Sequence, residues 1–244
     1  VMAPADAIER RPFNPFRYWL RNRFARDPRA PDSENKAAFD QRFDALLAAV
    51  PDAGLRRELD RVRSVVGALV DLQWDGSLSS QLDPRGRYEH TVDAIVSLLL
   101  AESLCRPLVL VLEDVHWIDE GSAEVVRRLA HAAGTNTEGH DGADAPPPSF
   151  PLAILATARQ LDTTTFGAAI EHPRLSLSPF GRADFATLGE LILGAPPAAA
   201  LLDLLETRTG GNPFFTEQLL HHLRDERLLQ LTDGHWTIDR TASA

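Results

Sequence analysis

The chain has 244 residues, 44% of them apolar, and a net charge of −10; this is enough for one large domain or two small ones around a real core. The acidic balance excludes broad binding to nucleic acid or anionic membranes, although a local basic face is compatible with it. Cys105 is the only cysteine, which excludes a disulfide framework or cysteine metal cluster and points to a cytoplasmic chain; no apolar run approaches a membrane span, and residues 1–15 lack the apolar core of a signal peptide.

The segment RRPFNPFRYWLRNRF opens extended at Pro12 and Pro15. It continues as an amphipathic helix, with Phe16, Trp19, Leu20 and Phe24 at helical spacing. A polar loop over 27–35 leads to a second helix marked by Phe39, Phe43, Leu46 and Leu47, which Pro51 ends. A third helix spans about Leu55 to Leu72 through Leu59, Val62, Val66, Leu69 and Val70. Gly76, Pro84 and Gly86 predict a loop over 74–87, and Tyr88 to Ser103 is a helix with Val92, Ile95, Val96 and Leu99 on its inner face.

That helix runs through Arg106 and Pro107 into PLVLVLEDVHWID. The uninterrupted apolar run Leu108 to Leu112 predicts a strand buried on both faces, as in a parallel sheet covered by helices. A helix starts near Asp119 or Ser122, with Val125, Val126, Leu129 and Ala130 inward. Residues 134–149 are small, polar and rich in Gly and Pro, so a flexible surface insertion is expected there; His131, His140 and nearby acids match no metal template.

A second buried strand is predicted at 151–157 (PLAILAT) and a short third one at 174–177. Helices follow over 183–193 and 198–207. The turn Thr209-Gly210-Gly211-Asn212 sets Pro213 at the first position of another helix. Residues 228–231 and 236–238, joined through Asp233-Gly234, read as a β-hairpin.

The chemistry concentrates at the end of the 107–119 stretch. In open α/β sheets ligands sit at the carboxyl ends of the strands, where Glu113 and Asp114 emerge. One carboxylate there can hold hydrated Mg²⁺ against a phosphate, and its neighbour can orient or deprotonate a water. A phosphate-cradling G-x-x-x-x-G-K-[ST] loop is absent, because Lys36, the only lysine, sits in Glu34-Asn35-Lys36-Ala37.

The succession LVLVLEDVHWID, LAILATAR, RLSLSP and TGGNPFF resembles the signal-transduction ATPases (STAND class) of the AAA-type P-loop NTPases. The nearest resemblance is to the bacterial modules fused to adenylate cyclases, LuxR-type regulators or serine/threonine kinases. It covers nearly the whole chain, with the acidic block and the GGNPFF turn its most specific parts. RRPFNPFRYWLR is similar to the segment that follows the Walker A helix in such proteins.

The resemblance implies that Glu113 and Asp114 are the Walker B pair, catalytic and metal-holding, with Mg²⁺ bound through water. It implies that Thr157, Arg159 and Pro213 are cofactor-binding, with Arg159 reading the γ-phosphate and Pro213 packing on adenine; ATP or ADP and Mg²⁺ are the implied cofactors. His116 and Trp117 also match, without an assigned role. The implied fold is a partial α/β P-loop NTPase core over 1–178, then a helical lid over 179–227 and the start of a winged helix over 228–244.

The resulting expectation is a fragment of a longer protein: an ATP-driven regulatory switch lacking its phosphate loop, with little catalysis of its own. Its implied partners are a fused cyclase, kinase or DNA-binding output domain and a second copy in nucleotide-dependent self-association, with no membrane and no direct nucleic acid. Two alternatives stand beside it. One is a degenerate scaffold without nucleotide; the other is an origin-recognition-like DNA-binding ATPase, which the acidic hairpin (Asp233, Asp239) disfavours.

Overall fold

The computed structural model describes residues 1–4, 11–24, 27–134, 150–159 and 173–239. The chain divides into two compact units, Val1–His172 and Pro173–Ala244.

In the first unit, parallel strands β1 (Met2–Pro4), β2 (Leu108–Glu113) and β3 (Leu152–Ala156) form a sheet with β2 in the middle. β2 aligns Val111 with Met2 and Leu110 with Ile154. Among the described residues, six α-helices accompany the sheet: α1 (Asn14–Arg23), α2 (Asp32–Ala49), α3 (Ala53–Leu69), the single turn α4 (Leu78–Gln81), α5 (Pro84–Cys105) and α6 (Glu120–Gly134). Their apolar stripes build one core. Phe16, Leu20 and Phe24 from the α1 region meet Phe39 and Phe43 of α2, and Val92, Ile95 and Leu99 of α5 belong to the same cluster. The expected amphipathic reading of the first helix therefore holds in this unit.

Two expectations need correction here. The predicted loop over 74–87 contains α4 and the first turn of α5. Asp83 accepts the Gly86 N–H at 2.8 Å and Pro84 occupies the first helical position, so these residues start a helix rather than interrupt one. Nor is β2 buried on both faces. Leu108, Leu110 and Leu112 enter the core, whereas Val109 is 52% exposed and, on the same face, Met2 and Leu155 are exposed as well. The expected insertion at 134–149 lies outside the described residues, apart from Gly134 at the end of α6.

In the second unit, α7 (Arg182–Leu193), α8 (Ala199–Thr209) and α9 (Pro213–Asp225) pack around Phe185, Leu201, Leu205, Leu220 and Leu223. A hairpin of β4 (Leu229–Thr232) and β5 (His235–Ile238) turns through Asp233 and Gly234, both at positive φ, which is the geometry a two-residue hairpin turn requires. Trp236 ties the hairpin to the helices: its Nε1 donates to the Leu193 carbonyl at 3.0 Å, and its own carbonyl accepts the Ala198 N–H at 2.8 Å. The strand predicted at 174–177 is not formed. Leu175 and Leu177 are 89% and 87% exposed, and the segment belongs to no ladder among the described residues. Apolar alternation alone does not make a strand without a neighbour to pair with.

Candidate functional site

The acidic pair stands at the carboxyl end of the central strand. Glu113 is the last residue of β2, half-buried and, among the described residues, without an ion-pair partner. The chain then leaves the sheet abruptly. Asp114 adopts a left-handed conformation (φ 53°, ψ 43°), one that Asp and Asn tolerate better than other residues with a Cβ. A single 3₁₀ turn over Val115–Trp117 follows and leads into α6. The Asp114 side chain is 60% exposed.

Thr157, just beyond β3, holds this corner. Its N–H donates to the Leu112 carbonyl at 2.9 Å and its carbonyl accepts the Val115 N–H at 2.9 Å. Its hydroxyl accepts the Asp114 N–H at 3.3 Å. Three bonds thus carry the parallel pairing of β2 and β3 one residue past the strands and fix where both carboxylates begin. Arg159 follows two residues later, exposed, with no hydrogen bond or ion pair to the described residues. Four of the five expected site residues, Glu113, Asp114, Thr157 and Arg159, therefore lie at the same ends of two adjacent strands.

Pro213 belongs to the second unit. It is the first residue of α9, capped by Asn212, whose Oδ1 accepts the Phe215 N–H at 3.3 Å. The preceding Gly211 has φ 81°, and a Cβ there would lie 2.5 Å from Cβ of Pro179. Its carbonyl accepts the Phe180 N–H at 2.8 Å. The glycine pair thus serves a tight backbone contact as well as the turn.

Sequence reasoning leaves His116 without a role, but the structure sets its Nδ1 3.9 Å from Asp114 Oδ1. That nitrogen is buried and, among the described residues, lacks a hydrogen-bond partner, and the ring lies 5.1 Å from that of Trp117. Asp119 was expected only as a cap. It is one, accepting the Ser122 N–H at 3.0 Å, yet the same oxygen also accepts the Phe13 N–H at 3.1 Å. The spacing of two residues between Asp114 and His116 was a readable signal for the first contact. Nothing local signals the second.

The donor set fits a hydrated magnesium ion. Two hard carboxylates follow one another in the chain at the strand end, neither ion-paired to a guanidinium among the described residues, and one or two protein oxygens suffice for Mg²⁺. The described residues contain no cluster of three or more His, Cys, Asp or Glu able to enclose a metal. An all-protein cage is thus excluded among them, as is expected where substrate phosphates complete the shell. No helix among the described residues is long and apolar enough to cross a membrane.

Comparison with known proteins gives the same direction. A family model described as "AAA ATPase domain" matches residues 4–138. An uncharacterized protein of Rhizobium meliloti (strain 1021) is 28% identical over 148 residues, which cover 58% of this chain and 13% of that protein. The chain thus spans a small part of the relative it matches. No solved structure matches.

Proposed function

Because the chain belongs to the AAA ATPase domain family, whose members are nucleotide-binding modules, we propose that it is part of an ATP-dependent regulatory switch of the signal-transduction class. The observation that supports this most is the placement of Glu113 and Asp114 at the end of β2, held in register with Thr157 at the end of β3.

Asp114, the more exposed acid, would hold Mg²⁺ through its waters. Glu113 orients the attacking water and accepts its proton. When bound, Mg²⁺ would supply charge neutralisation for the phosphates. Thr157 keeps the two strand ends from separating, so the distance from the acids to Arg159 is set by the sheet. Arg159 offers a planar fork of N–H donors suited to bidentate contact with a terminal phosphate. Pro213 enters as the adenine contact on the family resemblance alone.

The sequence contains no G-x-x-x-x-G-K-[ST] loop, so these residues account for only part of a phosphate site. In the complete protein, the second unit acts as a helical lid followed by the start of a winged helix. ATP favours one arrangement of the parts, hydrolysis favours another, and a fused output domain or a second copy reads the difference.

The test uses the complete native protein. Glu113→Gln with Asp114→Asn abolishes ATP hydrolysis while ATP binding stays measurable. Wild-type turnover in the double variant contradicts the assignment. Loss of nucleotide affinity in the wild-type protein itself favours a scaffold instead.

A further inference from the structure

Three arginines and one buried carboxylate line a cleft at the opposite end of β2. Arg23 at the end of α1, Arg42 on α2 and Arg106 just after α5 line a cleft of about 450 Å³. Arg106 precedes β2 and Asp114 follows it. A six-residue strand at about 3.3 Å per residue separates the two places by roughly 20 Å. The cleft is therefore distinct from the candidate nucleotide site.

Charge in the cleft is unbalanced. Glu102, with its side chain only 4% exposed, accepts from Arg23 Nε at 2.5 Å. Arg106 Nη2 stands 3.9 Å from the other oxygen of the same carboxylate and remains largely in solvent. Arg42 Nη1 donates to the Arg23 carbonyl at 3.1 Å and has no carboxylate partner among the described residues. Three guanidiniums against one carboxylate leave two positive charges in excess, in a chain whose net charge is −10.

Each guanidinium carries five N–H donors, so Arg42 and Arg106 retain most of theirs. The cleft is also lined by Ala45, Leu46 and Ala49 of α2. The two alanines, one helical turn apart, leave room for an apolar group where longer side chains would fill it.

We propose that this cleft binds a small carboxylate with a short apolar stem, its head group held by Arg42 and Arg106 and its stem lying over Ala45, Leu46 and Ala49. The guanidinium fork suits a carboxylate or a phosphate, and a carboxylate is preferred over a phosphate dianion because the buried Glu102 repels a second negative charge more strongly than a single one. Arg23 stays committed to Glu102, because a buried carboxylate stripped of its partner is costly.

Cys105 supplies the readout. It is the sole cysteine in the chain, exposed, and it lines the cleft. The full chain is alkylated with uncharged iodoacetamide, and the rate at Cys105 is followed by mass spectrometry as hexanoate is added. The expected result is saturable protection by hexanoate and none by hexylammonium, which has the same stem and the opposite charge. In the double variant Arg42→Ala, Arg106→Ala, half-protection requires at least about tenfold more hexanoate, as the loss of charged hydrogen bonds implies.

Both side chains are exposed, so the fold is expected to survive. If circular dichroism shows otherwise, Arg42→Lys with Arg106→Lys replaces it and is expected to bind more weakly for want of the planar fork. Four results would overturn the proposal: no saturable protection by hexanoate, equal protection by hexylammonium, unchanged half-protection in the folded variant, or inorganic phosphate protecting as well as hexanoate.

Discussion

The Asp114 N–H donates to the Thr157 hydroxyl at 3.3 Å, joining residues 43 apart in sequence just past the ends of two neighbouring strands. Asp114 is held there in a left-handed conformation, so its carboxylate leaves the sheet in a direction fixed partly by Thr157. Thr157→Val removes the acceptor while keeping the shape. It is expected to cost about 1 kcal/mol of stability in the first unit and to lower ATP turnover in the complete protein. Thr157→Ser keeps the hydroxyl and is expected to stay close to wild type in both. Equal behaviour of the two variants in urea unfolding and turnover would separate Thr157 from the acidic corner.

Asp119 binds two parts of the chain with one carboxylate. Its Oδ1 caps α6 through Ser122 and accepts the Phe13 N–H from 106 residues away. The Phe13 ring lies over Gly121, where an added Cβ would approach to 2.7 Å. Asp119→Ala is expected to destabilise the first unit by about 2 kcal/mol, more than an ordinary cap loss, because a partly buried N–H also loses its acceptor. The urea midpoint read by Trp19, Trp74 and Trp117 fluorescence measures it.

Two glycines of the second unit separate backbone strain from crowding. Gly194 and Gly211 have φ of 78° and 81°, but a Cβ on Gly194 meets nothing within 4 Å while one on Gly211 meets Pro179 at 2.5 Å. Gly194→Ala is expected to cost about 1 kcal/mol through conformation alone. Gly211→Ala is expected to cost about 2 to 4 kcal/mol, since crowding adds to it. Trp236, the unit's sole tryptophan, reports both in urea.

Cys105 should be a slow nucleophile at neutral pH. Partial desolvation by its neighbours and the nearby Glu102 carboxylate raise the pKa of this exposed thiol, against weaker opposition from Arg23 and Arg106. The thiolate reacts, so the alkylation rate is expected to climb with pH and to inflect above the value of an ordinary free thiol. An inflection below that value would show that the arginines dominate.

Much of this was legible in the residues, for reasons that also explain the misses. The run from Leu108 to Leu112 announced a strand because no polar residue interrupts it, and Glu113 and Asp114 were visible as its end. The one-sided burial of that strand was not visible, since an all-apolar run carries no alternation to tell the faces apart. β1 is three residues long, too short for any period. At 84–86, Pro and Gly are loop signals in isolation, but Asp83 before Pro84 is a helix-start pair. The Leu175 and Leu177 alternation was read as a strand, but pairing is a property of neighbours rather than of the segment. Asp119 looked like a cap from its position, while its bond to Phe13 depends on how α1 is placed, which no local pattern encodes.

The most direct measurement of the central claim replaces Mg²⁺ with Mn²⁺ in the ATP complex of the complete protein and records amide resonances. Substoichiometric Mn²⁺ with ATP is expected to broaden the amides of 113–115 and 157–159 first, and Glu113→Gln with Asp114→Asn is expected to abolish that selectivity. Broadening centred elsewhere, or the same pattern in the double variant, would contradict a metal–nucleotide site at the ends of β2 and β3.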